Sequence, residues 1–290
     1  MRPRQDSRLE GHNKQHILLY LAPGNTKLPQ KVYLPIFDRY LPKILLGESL
    51  DGPVTADLNK QPHFLVAGST GSGKTTLIKS IIIQLLVDRY SPCNVFLIDL
   101  KGGLDYPPNW RGDLCTFSST PEDALSLLSY IVQELEQRKI LFSIAGAQQG
   151  KTCSDLDMYN LLRPDNILPR IAVVVDEIAE LTDTSGMDKN YKDLSKGIVG
   201  NLSTIARLGR AFGINLFIGT QRPDANAIPG QIKNNLDVRI CGKADNTLSM
   251  IVLDNTDAAT LIPKNSQGLF LNQDGTLFRG YLPDESITGV

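Results

Sequence analysis

A glycine-rich turn between an apolar run and an apolar helix limits what this chain can fold into more than any other feature. Residues 68–75 read Gly-Ser-Thr-Gly-Ser-Gly-Lys-Thr and match the phosphate-loop pattern G-x-x-x-x-G-K-[ST] at every position. The apolar residues 64–67 before the turn predict a buried strand. Apolar residues three and four apart predict a helix after it: Leu77, Ile78, Ile81, Ile82 and Leu85. The turn therefore predicts a site for a nucleoside triphosphate.

Each residue type in the turn suits a different part of the nucleotide. Glycines let successive backbone N–H groups face phosphate oxygens, and the following helix adds the positive end of its dipole. We expect Lys74 to reach the β- and γ-phosphates and Thr75 to hold Mg²⁺. The predicted ATP-binding residues are the loop and its next neighbour: Gly68, Ser69, Thr70, Gly71, Ser72, Gly73, Lys74, Thr75 and Thr76.

Composition and charge exclude several other classes of protein. The 290 residues are 41% hydrophobic and 21% charged, which is typical of a soluble globular protein. The net charge of −1 leaves no broad basic face for nucleic acid, so any DNA contact must be local. The four cysteines form no C-x-x-C pair, which favours reduced thiols in a cytoplasmic protein. No stretch reaches 18 apolar residues, so we expect any membrane tether to come from a partner or from a segment missing here.

The order of predicted elements indicates an α/β fold with a mainly parallel sheet. Residues 1–43 are interpreted as an N-terminal arm, charged over 1–15, and a small proline-spaced lead-in; residues 44–290 are interpreted as the main domain. Strands are predicted at 94–99, 171–175, 214–219, 238–241, 269–271 and 277–281, and helices at 121–142, 194–211 and 246–253. Residues 143–166 are predicted to be a long functional loop, and residues 182–193 a shorter one.

Two neighbouring carboxylates follow the most apolar predicted strand. Asp176, about 100 residues after Lys74, has the position of an aspartate that completes a magnesium site with Thr75. Glu177, one residue further, can orient and deprotonate an attacking water, as a general base must. Gln221 ends the next predicted strand, where a polar side chain can contact the γ-phosphate or that water. This set predicts hydrolysis, with Lys74, Asp176, Glu177 and Gln221 as catalytic residues.

Arginines near the end of the predicted helix 194–211 are candidates for the remaining catalytic charge. Arg207 and Arg210 could each act as an arginine finger, which stabilises transition-state charge and has to come from a neighbouring subunit. Arginines on a helix surface are common, so the sequence by itself leaves open whether either one does so.

Beyond the phosphate loop, short motifs follow one another over about residues 44–271. They are Leu46-Gly47, Gly52-Pro53-Val54, Asp57-Leu58, residues 62–74, Leu97-Ile98-Asp99 with Lys101, Glu134 to Arg138, Tyr159-Asn160, residues 173–177, residues 209–214 without Phe212, Thr220-Gln221-Arg222-Pro223, and Gly230 through Ile240. In this order they resemble the FtsK/SpoIIIE family of DNA translocases.

The resemblance implies a RecA-like P-loop NTPase, a motor domain that forms a ring, usually a homohexamer, around double-stranded DNA. ATP would lie between subunits, and Arg210 matches the arginine proposed as the finger for a neighbour. DNA is then held by loops repeated around the pore, through phosphates rather than bases. By position we expect contacts from Lys151 in the 146–155 loop and from Lys233 in the 224–235 segment, although each lysine can equally be a solvated surface charge.

Departures from the family pattern limit the biological processes in which we expect this chain to act. Leu100 stands where proline is usual, Thr75 replaces the commoner serine, and the membrane spans and winged-helix reader of chromosome-segregating members are not in this sequence. We therefore expect a minimal motor similar to the ATPases of conjugative elements, plasmids or phages. Two alternatives stay open: a polypeptide-moving ATPase similar to those of type VII secretion, and a nucleotide-binding assembly factor without motor activity.

Overall fold

The computed structural model describes residues 27–35, 41–88, 91–112, 114–222 and 228–284. Ten strands form one sheet in the order β2-β1-β10-β9-β8-β3-β7-β6-β4-β5. The strands are β1 Lys43–Ser49, β2 Gly52–Asp57, β3 His63–Ala67, β4 Cys93–Ile98, β5 Cys115–Ser118, β6 Arg170–Val175, β7 Ile214–Thr220, β8 Val238–Cys241, β9 Leu269–Asn272 and β10 Leu277–Gly280. The predicted α/β class is confirmed.

The described part of the chain also contains eight α-helices. They are α1 Lys74–Val87, α2 Pro121–Gln149, α3 Leu156–Leu162, α4 Ala179–Thr182, α5 Lys189–Leu208, α6 Gly230–Lys233, α7 Asn246–Leu253 and α8 Asp257–Leu261. Short 3₁₀ turns lie at Pro108–Trp110 and Gly209–Phe212.

The sheet has a parallel part and an antiparallel part. The strands from β8 to β5 in the sheet order pair in parallel, whereas β8-β9, β9-β10, β10-β1 and β1-β2 pair antiparallel. The strand before the phosphate loop, β3, lies between β7 and β8, and β7 separates β3 from β6. Because the carboxyl ends of parallel strands meet at one edge, this order brings the residues after β3, β6 and β7 together.

The central strands are buried on both faces, which explains their continuous apolar sequences. Phe64 and Val66 of β3 belong to the core that α1 covers, whereas Leu65 and Ala67 belong to the core under α2 and α5. This alternation follows from the two-residue period of a strand. Each buried Leu or Ile side chain stabilises the fold by about 1.5–3 kcal/mol, so the phosphate loop follows a strand that is firmly packed on both faces.

The predicted loop over residues 143–166 is wrong for most of its length. Helix α2 continues to Gln149 and ends at Gly150, whose φ of 59° is in the left-handed region, and α3 begins at Leu156. Phe142 stacks on Tyr159, with ring centroids 4.9 Å apart, so the end of α2 packs on α3 in a small core of their own. This tertiary contact extends the helix through Gly146, a residue type that is uncommon inside helices.

Other differences are smaller. Helix α5 begins at Lys189, earlier than predicted, because Asp188 caps it by accepting a hydrogen bond from the Tyr191 N–H. The predicted strands and helices also did not include strands β1, β2 and β5 and helices α4, α6 and α8. The four cysteines are free thiols. Within the described ranges, no helix combines the length and apolar character needed to cross a membrane.

The described part of the lead-in contacts the antiparallel strands. The Leu34 N–H donates to the Leu282 carbonyl at 3.0 Å, and the Leu282 N–H donates to the Val32 carbonyl at 2.8 Å. Arg279 Nε donates to the Pro29 carbonyl at 3.1 Å. The predicted arm at residues 1–15 lies outside the described residues, and the division of the chain at residue 43 stays a prediction.

Candidate nucleotide site

The phosphate loop is fixed by backbone hydrogen bonds from three sides. The Gly68 N–H donates to the Thr220 carbonyl at 3.2 Å, and the Ser69 N–H donates to the Lys243 carbonyl at 2.8 Å. On the third side, the Gly268 N–H donates to the Ser72 carbonyl at 2.7 Å. The loop is therefore held by the ends of β7 and β8 and by the turn before β9.

Glycine is required at the point where the loop enters α1. Gly73 has a φ of 97°, and a Cβ there would lie 3.0 Å from the Gly268 nitrogen. It precedes a 14-residue helix whose N-terminus has no side-chain cap. The first N–H groups of such a helix have no partner inside it, and they attract anions. The loop and helix together can bind a polyphosphate.

Asp176 lies opposite the start of α1, directly after β6. Lys74 Nζ is 3.0 Å from Asp176 Oδ1 and also donates to the Asp176 backbone carbonyl. Thr75 Oγ1 lies 3.5 Å from the same Oδ1 atom. Lys74 and Asp176 are both buried, with side chains 2% and 1% exposed, so the pair is shielded from solvent.

These oxygen atoms fit a magnesium ion. The second carboxylate oxygen, Asp176 Oδ2, is buried and has no hydrogen-bond partner among the described residues. A buried polar atom without a partner costs free energy and needs an explanation. Mg²⁺ prefers carboxylate and hydroxyl oxygens together with phosphate oxygens. Asp176 Oδ2 and Thr75 Oγ1 supply oxygens of these kinds beside the phosphate loop.

Glu177 is buried and held at both of its oxygens. Thr220 Oγ1 donates to Oε1 at 2.9 Å, and the Gln221 backbone N–H donates to Oε2 at 2.8 Å. The Gln221 side chain turns the other way, where its Oε1 accepts a hydrogen bond of 3.1 Å from Thr70 Oγ1 in the phosphate loop. The end of β7 therefore fixes the orientation of the Glu177 carboxylate, and Gln221 connects Glu177 to the phosphate loop.

The sheet order explains why these residues meet. Ala67 pairs with Thr220 across β3 and β7, and Val175 pairs with Ile218 across β7 and β6. The last residue of β7 is thus level with the start of the phosphate loop and with the acidic pair. The predicted residues Lys74, Thr75, Asp176, Glu177 and Gln221 are brought together at one edge of the sheet.

Sequence reasoning missed a tyrosine in this cluster. Tyr106, in the segment after β4, donates its hydroxyl to Asp176 Oδ1 at 2.9 Å. Burial, and next the charge of Asp176, raise the pKa of Tyr106 well above its usual value, so the hydroxyl keeps its proton. The only signal in the sequence is that Tyr106 follows a buried strand that ends at this edge.

The segment that carries Tyr106 is organised by Asp99, the residue after β4. The Asp99 carboxylate accepts hydrogen bonds from the Lys101 N–H at 3.0 Å and the Gly103 N–H at 2.9 Å. Burial raises the pKa of Asp99, while the two N–H donors lower it. The Asp99 carboxylate therefore shapes the turn from which Tyr106 reaches Asp176.

A cavity of about 220 Å³ opens beside Gly73 and Thr76. Leu77 and Phe270 supply apolar wall, and other residues come from the lead-in and the antiparallel strands: Gln30, Lys31, Gln267, Gly268, Arg279, Gly280, Tyr281 and Leu282. Motif reasoning did not identify this cavity, because its walls come from distant parts of the chain with no recognisable pattern.

Arg210 lies at the opposite edge of the sheet. It belongs to the 3₁₀ turn just before β7. The seven residues of β7 span about 20 Å, and the strand ends at the nucleotide site. The side chain is exposed, and its Nε donates to the Asn59 carbonyl at 3.0 Å. Arg207 and Arg210 both line a cleft of about 570 Å³ at this edge. Arg210 therefore does not reach the phosphate loop of its own chain.

The two lysines predicted to contact DNA differ in their surroundings. Lys151 is exposed just after α2. Lys233, in α6, forms an ion pair with Asp254, with Nζ 2.7 Å from Oδ1, and Arg239 contacts the same carboxylate. Pro223 and residues 224–227 of the predicted DNA-contacting segment lie outside the described residues. The DNA contacts therefore stay predictions.

The fold and the site together define a P-loop nucleotide-binding protein, with an acidic pair two strands away from the phosphate loop. The FtsK/SpoIIIE family model matches residues 38–225. The chain belongs to this family of ATPases, as its motifs predicted.

Curated relatives carry the same domain within longer proteins. The chain is 31% identical over 265 residues to the DNA translocase FtsK of Halalkalibacterium halodurans, a match that covers 87% of this chain and 32% of that protein. It is 33% identical over 256 residues to the DNA translocase SftA of Bacillus subtilis, covering 84% of this chain and 25% of that protein. The chain thus spans about a third or less of the length of these relatives.

Solved structures share the fold. The conjugation coupling protein TcpA of pCW3, in its monomer form with ATPγS, is 38% identical and superposes with a TM-score of 0.79. The match covers 90% of this chain and 72% of that one. The type VII secretion ATPase EccC of Thermomonospora curvata is 22% identical with a TM-score of 0.65, covering 87% of this chain and 30% of that one. The second likeness concerns the fold alone.

Proposed function

We propose that this chain is the motor domain of an ATP-driven translocase of double-stranded DNA and works as a ring of identical subunits, a homohexamer. One observation carries the proposal: Lys74, Asp176, Glu177 and Gln221 lie together at one end of β7, and Arg210 is exposed at the other end of this strand, which is about 20 Å long. The DNA translocases to which the chain is 31% and 33% identical support the choice of DNA as substrate. We assign the motor to residues 44–290 and the lead-in to residues 1–43.

ATP binding begins with an exchange of partners at Lys74. Its ammonium, 3.0 Å from Asp176 Oδ1, turns to the β- and γ-phosphates, while the loop N–H groups and the start of α1 hold the remaining phosphate oxygens. Thr75 and Asp176 hold Mg²⁺, which supplies charge neutralisation at the phosphates. The base and ribose have room in the cavity beside Thr76.

Hydrolysis depends on Glu177. Its carboxylate, fixed by Thr220 and the Gln221 N–H, orients a water molecule and accepts a proton from it as the water oxygen bonds to the γ-phosphorus. The bond between the γ-phosphorus and the bridging oxygen breaks, and ADP and inorganic phosphate leave. Gln221 contacts Glu177 through its backbone N–H and Thr70 through its side-chain amide, so it can respond to the presence of the γ-phosphate.

Arg210 completes the site of a neighbouring subunit. Its guanidinium is exposed at the edge of the sheet away from its own phosphate loop, and a transition state that spreads charge over phosphate oxygens is stabilised by such a cation. Within a ring, the arginine edge of one copy then faces the nucleotide edge of the next. Hydrolysis would require the ring, which couples it to movement of the DNA in the pore.

The DNA contacts are proposed to be few and local. A net charge of −1 excludes a broad basic surface, and a ring repeats each contact once per subunit. We propose Lys151, which is exposed, and Lys233, which would have to exchange Asp254 for a DNA phosphate. The likeness to a conjugation coupling protein favours transfer of a mobile element as the process. We also propose that the chain works in the cytoplasm with a membrane-bound partner.

The test is ATP hydrolysis by the purified chain with and without duplex DNA. We expect duplex DNA to raise the rate several-fold and Glu177→Gln to lower it by about 10³, with ATP binding retained, because only the general base is lost. Glu136→Gln, an exposed glutamate of α2, is the matched control and should keep the wild-type rate. Hydrolysis that is indifferent to DNA would favour a polypeptide motor, and the absence of hydrolysis would favour the assembly factor.

A further inference from the structure

Tyr106 is the part of the cluster that no motif accounts for. We propose that Tyr106 is a positioning residue, whose hydroxyl holds Asp176 so that its free oxygen faces the magnesium ion. The inference rests on the proposed function to the extent that it requires nucleotide and Mg²⁺ to bind at this site. It does not require hydrolysis, DNA or a ring.

The two oxygens of Asp176 are used differently. Oδ1 accepts from Tyr106 at 2.9 Å and from Lys74 Nζ at 3.0 Å. Oδ2 is buried without a partner among the described residues. Thr75 Oγ1 is a third and longer donor to Oδ1, at 3.5 Å. Donors on one oxygen, and none on the other among the described residues, fix the orientation of the carboxylate. The oxygen that is left over is the one available to a cation.

The second step concerns what happens when ATP arrives. The three N–H donors of Lys74 cannot all bind Asp176 and all bind the phosphates at the same time. When Lys74 turns to the phosphates and Thr75 Oγ1 to Mg²⁺, Oδ1 would lose two of its three donors, and an unpaired buried charge is costly. Tyr106 remains as its donor. The tyrosine therefore compensates Asp176 at the moment when Lys74 leaves it.

The third step is that Tyr106 is held rigidly. Its N–H donates to the Gly103 carbonyl at 3.0 Å, within the turn that the Asp99 carboxylate caps. Its ring lies 6.1 Å from that of Trp110, centroid to centroid, and Trp110 is fully buried. Because these contacts hold the Tyr106 side chain in place, its hydroxyl can orient the Asp176 carboxylate, which a mobile hydroxyl could not do.

The experiment uses Tyr106→Phe, which removes one oxygen and keeps the ring. Binding of a fluorescent ATP analogue is titrated with Mg²⁺ at fixed nucleotide concentration. We expect the Mg²⁺ concentration at half-saturation to rise about tenfold, the effect of losing one hydrogen bond to a charged group. Binding in EDTA should change less than twofold. Tyr130→Phe, an exposed tyrosine on α2, is the control and should match wild type in both measurements.

An unchanged Mg²⁺ requirement in a folded Tyr106→Phe protein would overturn the proposal. An equal loss of binding with Mg²⁺ and in EDTA would also overturn it, because the tyrosine would then only support the loop. If Tyr106→Phe does not fold, Trp110→Phe is the second variant. It keeps the hydroxyl but loosens the ring, and a smaller shift in the same direction is expected. Failure of the proposed function would appear differently, as wild-type protein that binds no nucleotide.

Discussion

The two edges of the parallel sheet differ in burial and hydrogen bonding, and the proposed function gives them different roles. At the nucleotide edge, Asp176 and Glu177 are 1% and 6% exposed, and their hydrogen bonds lie within one chain. At the arginine edge, Arg210 is exposed, and its Nε donates to the Asn59 carbonyl. The first edge holds buried, hydrogen-bonded groups beside the phosphate loop, whereas the second presents an exposed guanidinium to solvent.

The buried groups thus lie at the nucleotide edge, and the exposed arginine lies at the other edge. Buried, hydrogen-bonded groups are held in place and can do precise chemistry. Under the proposed function, the exposed Arg210 guanidinium acts only when the nucleotide edge of a neighbouring subunit covers it. The two edges should therefore respond differently to mutation.

Arg210→Ala should have the largest effect on turnover and none on binding. We expect the hydrolysis rate of the assembled protein to fall by about 10³, because the transition state loses its cation from the neighbouring subunit. ATP affinity of the isolated chain should stay within twofold, since Arg210 lies at the other edge. Arg163→Ala, which removes an arginine from the segment leading into β6, is the control. A weakened ATP affinity would contradict the separation of the two edges.

Arg138→Ala should separate stability from catalysis at the arginine edge. Arg138 is 1% exposed in α2 and donates to the Phe212 carbonyl at 2.7 Å, the Pro169 carbonyl at 2.8 Å and Glu134 at 2.9 Å. Its loss leaves three acceptors in need of partners, and we expect the free energy of unfolding to fall by about 3 kcal/mol. Denaturant unfolding measures this change.

The neighbouring position gives the matched comparison for Arg138. Lys139→Ala removes a half-exposed partner of Glu136, so we expect the free energy of unfolding to change by less than about 0.5 kcal/mol. If the two variants were equally stable, Arg138 would not be holding the segments around Phe212 in place. ATP affinity measured at a temperature where both variants are folded should match wild type, since neither residue touches the nucleotide edge.

Much of the nucleotide edge could be predicted from the sequence, for a physical reason. Residues that follow buried parallel strands necessarily share one edge, so Lys74, Asp176 and Gln221 could be grouped from the sequence alone. The strand order could not be read in the same way. Only the fold shows that β7 lies between β3 and β6, and hence that Thr220 and the Gln221 N–H orient Glu177.

What could not be predicted depends on contacts between distant segments. Tyr106 reaches Asp176 across 70 residues of sequence, through a turn whose shape comes from Asp99. The end of α2 was predicted to be a loop, because Gly146 and the polar residues after it outweighed the packing of Phe142 on Tyr159. In both cases the local pattern was weak and the tertiary contact decided the structure.

The most direct test of the account mixes two inactive variants. Glu177→Gln keeps Arg210, and Arg210→Ala keeps Glu177, so a ring built from both contains junctions in which both residues are intact. We predict that each variant alone has about 10³ less ATPase activity than wild type. We also predict that the mixture regains a clear fraction of the wild-type rate as the two are combined. A mixture no more active than its separate components would contradict the central claim that Arg210 acts on the nucleotide of a neighbouring subunit.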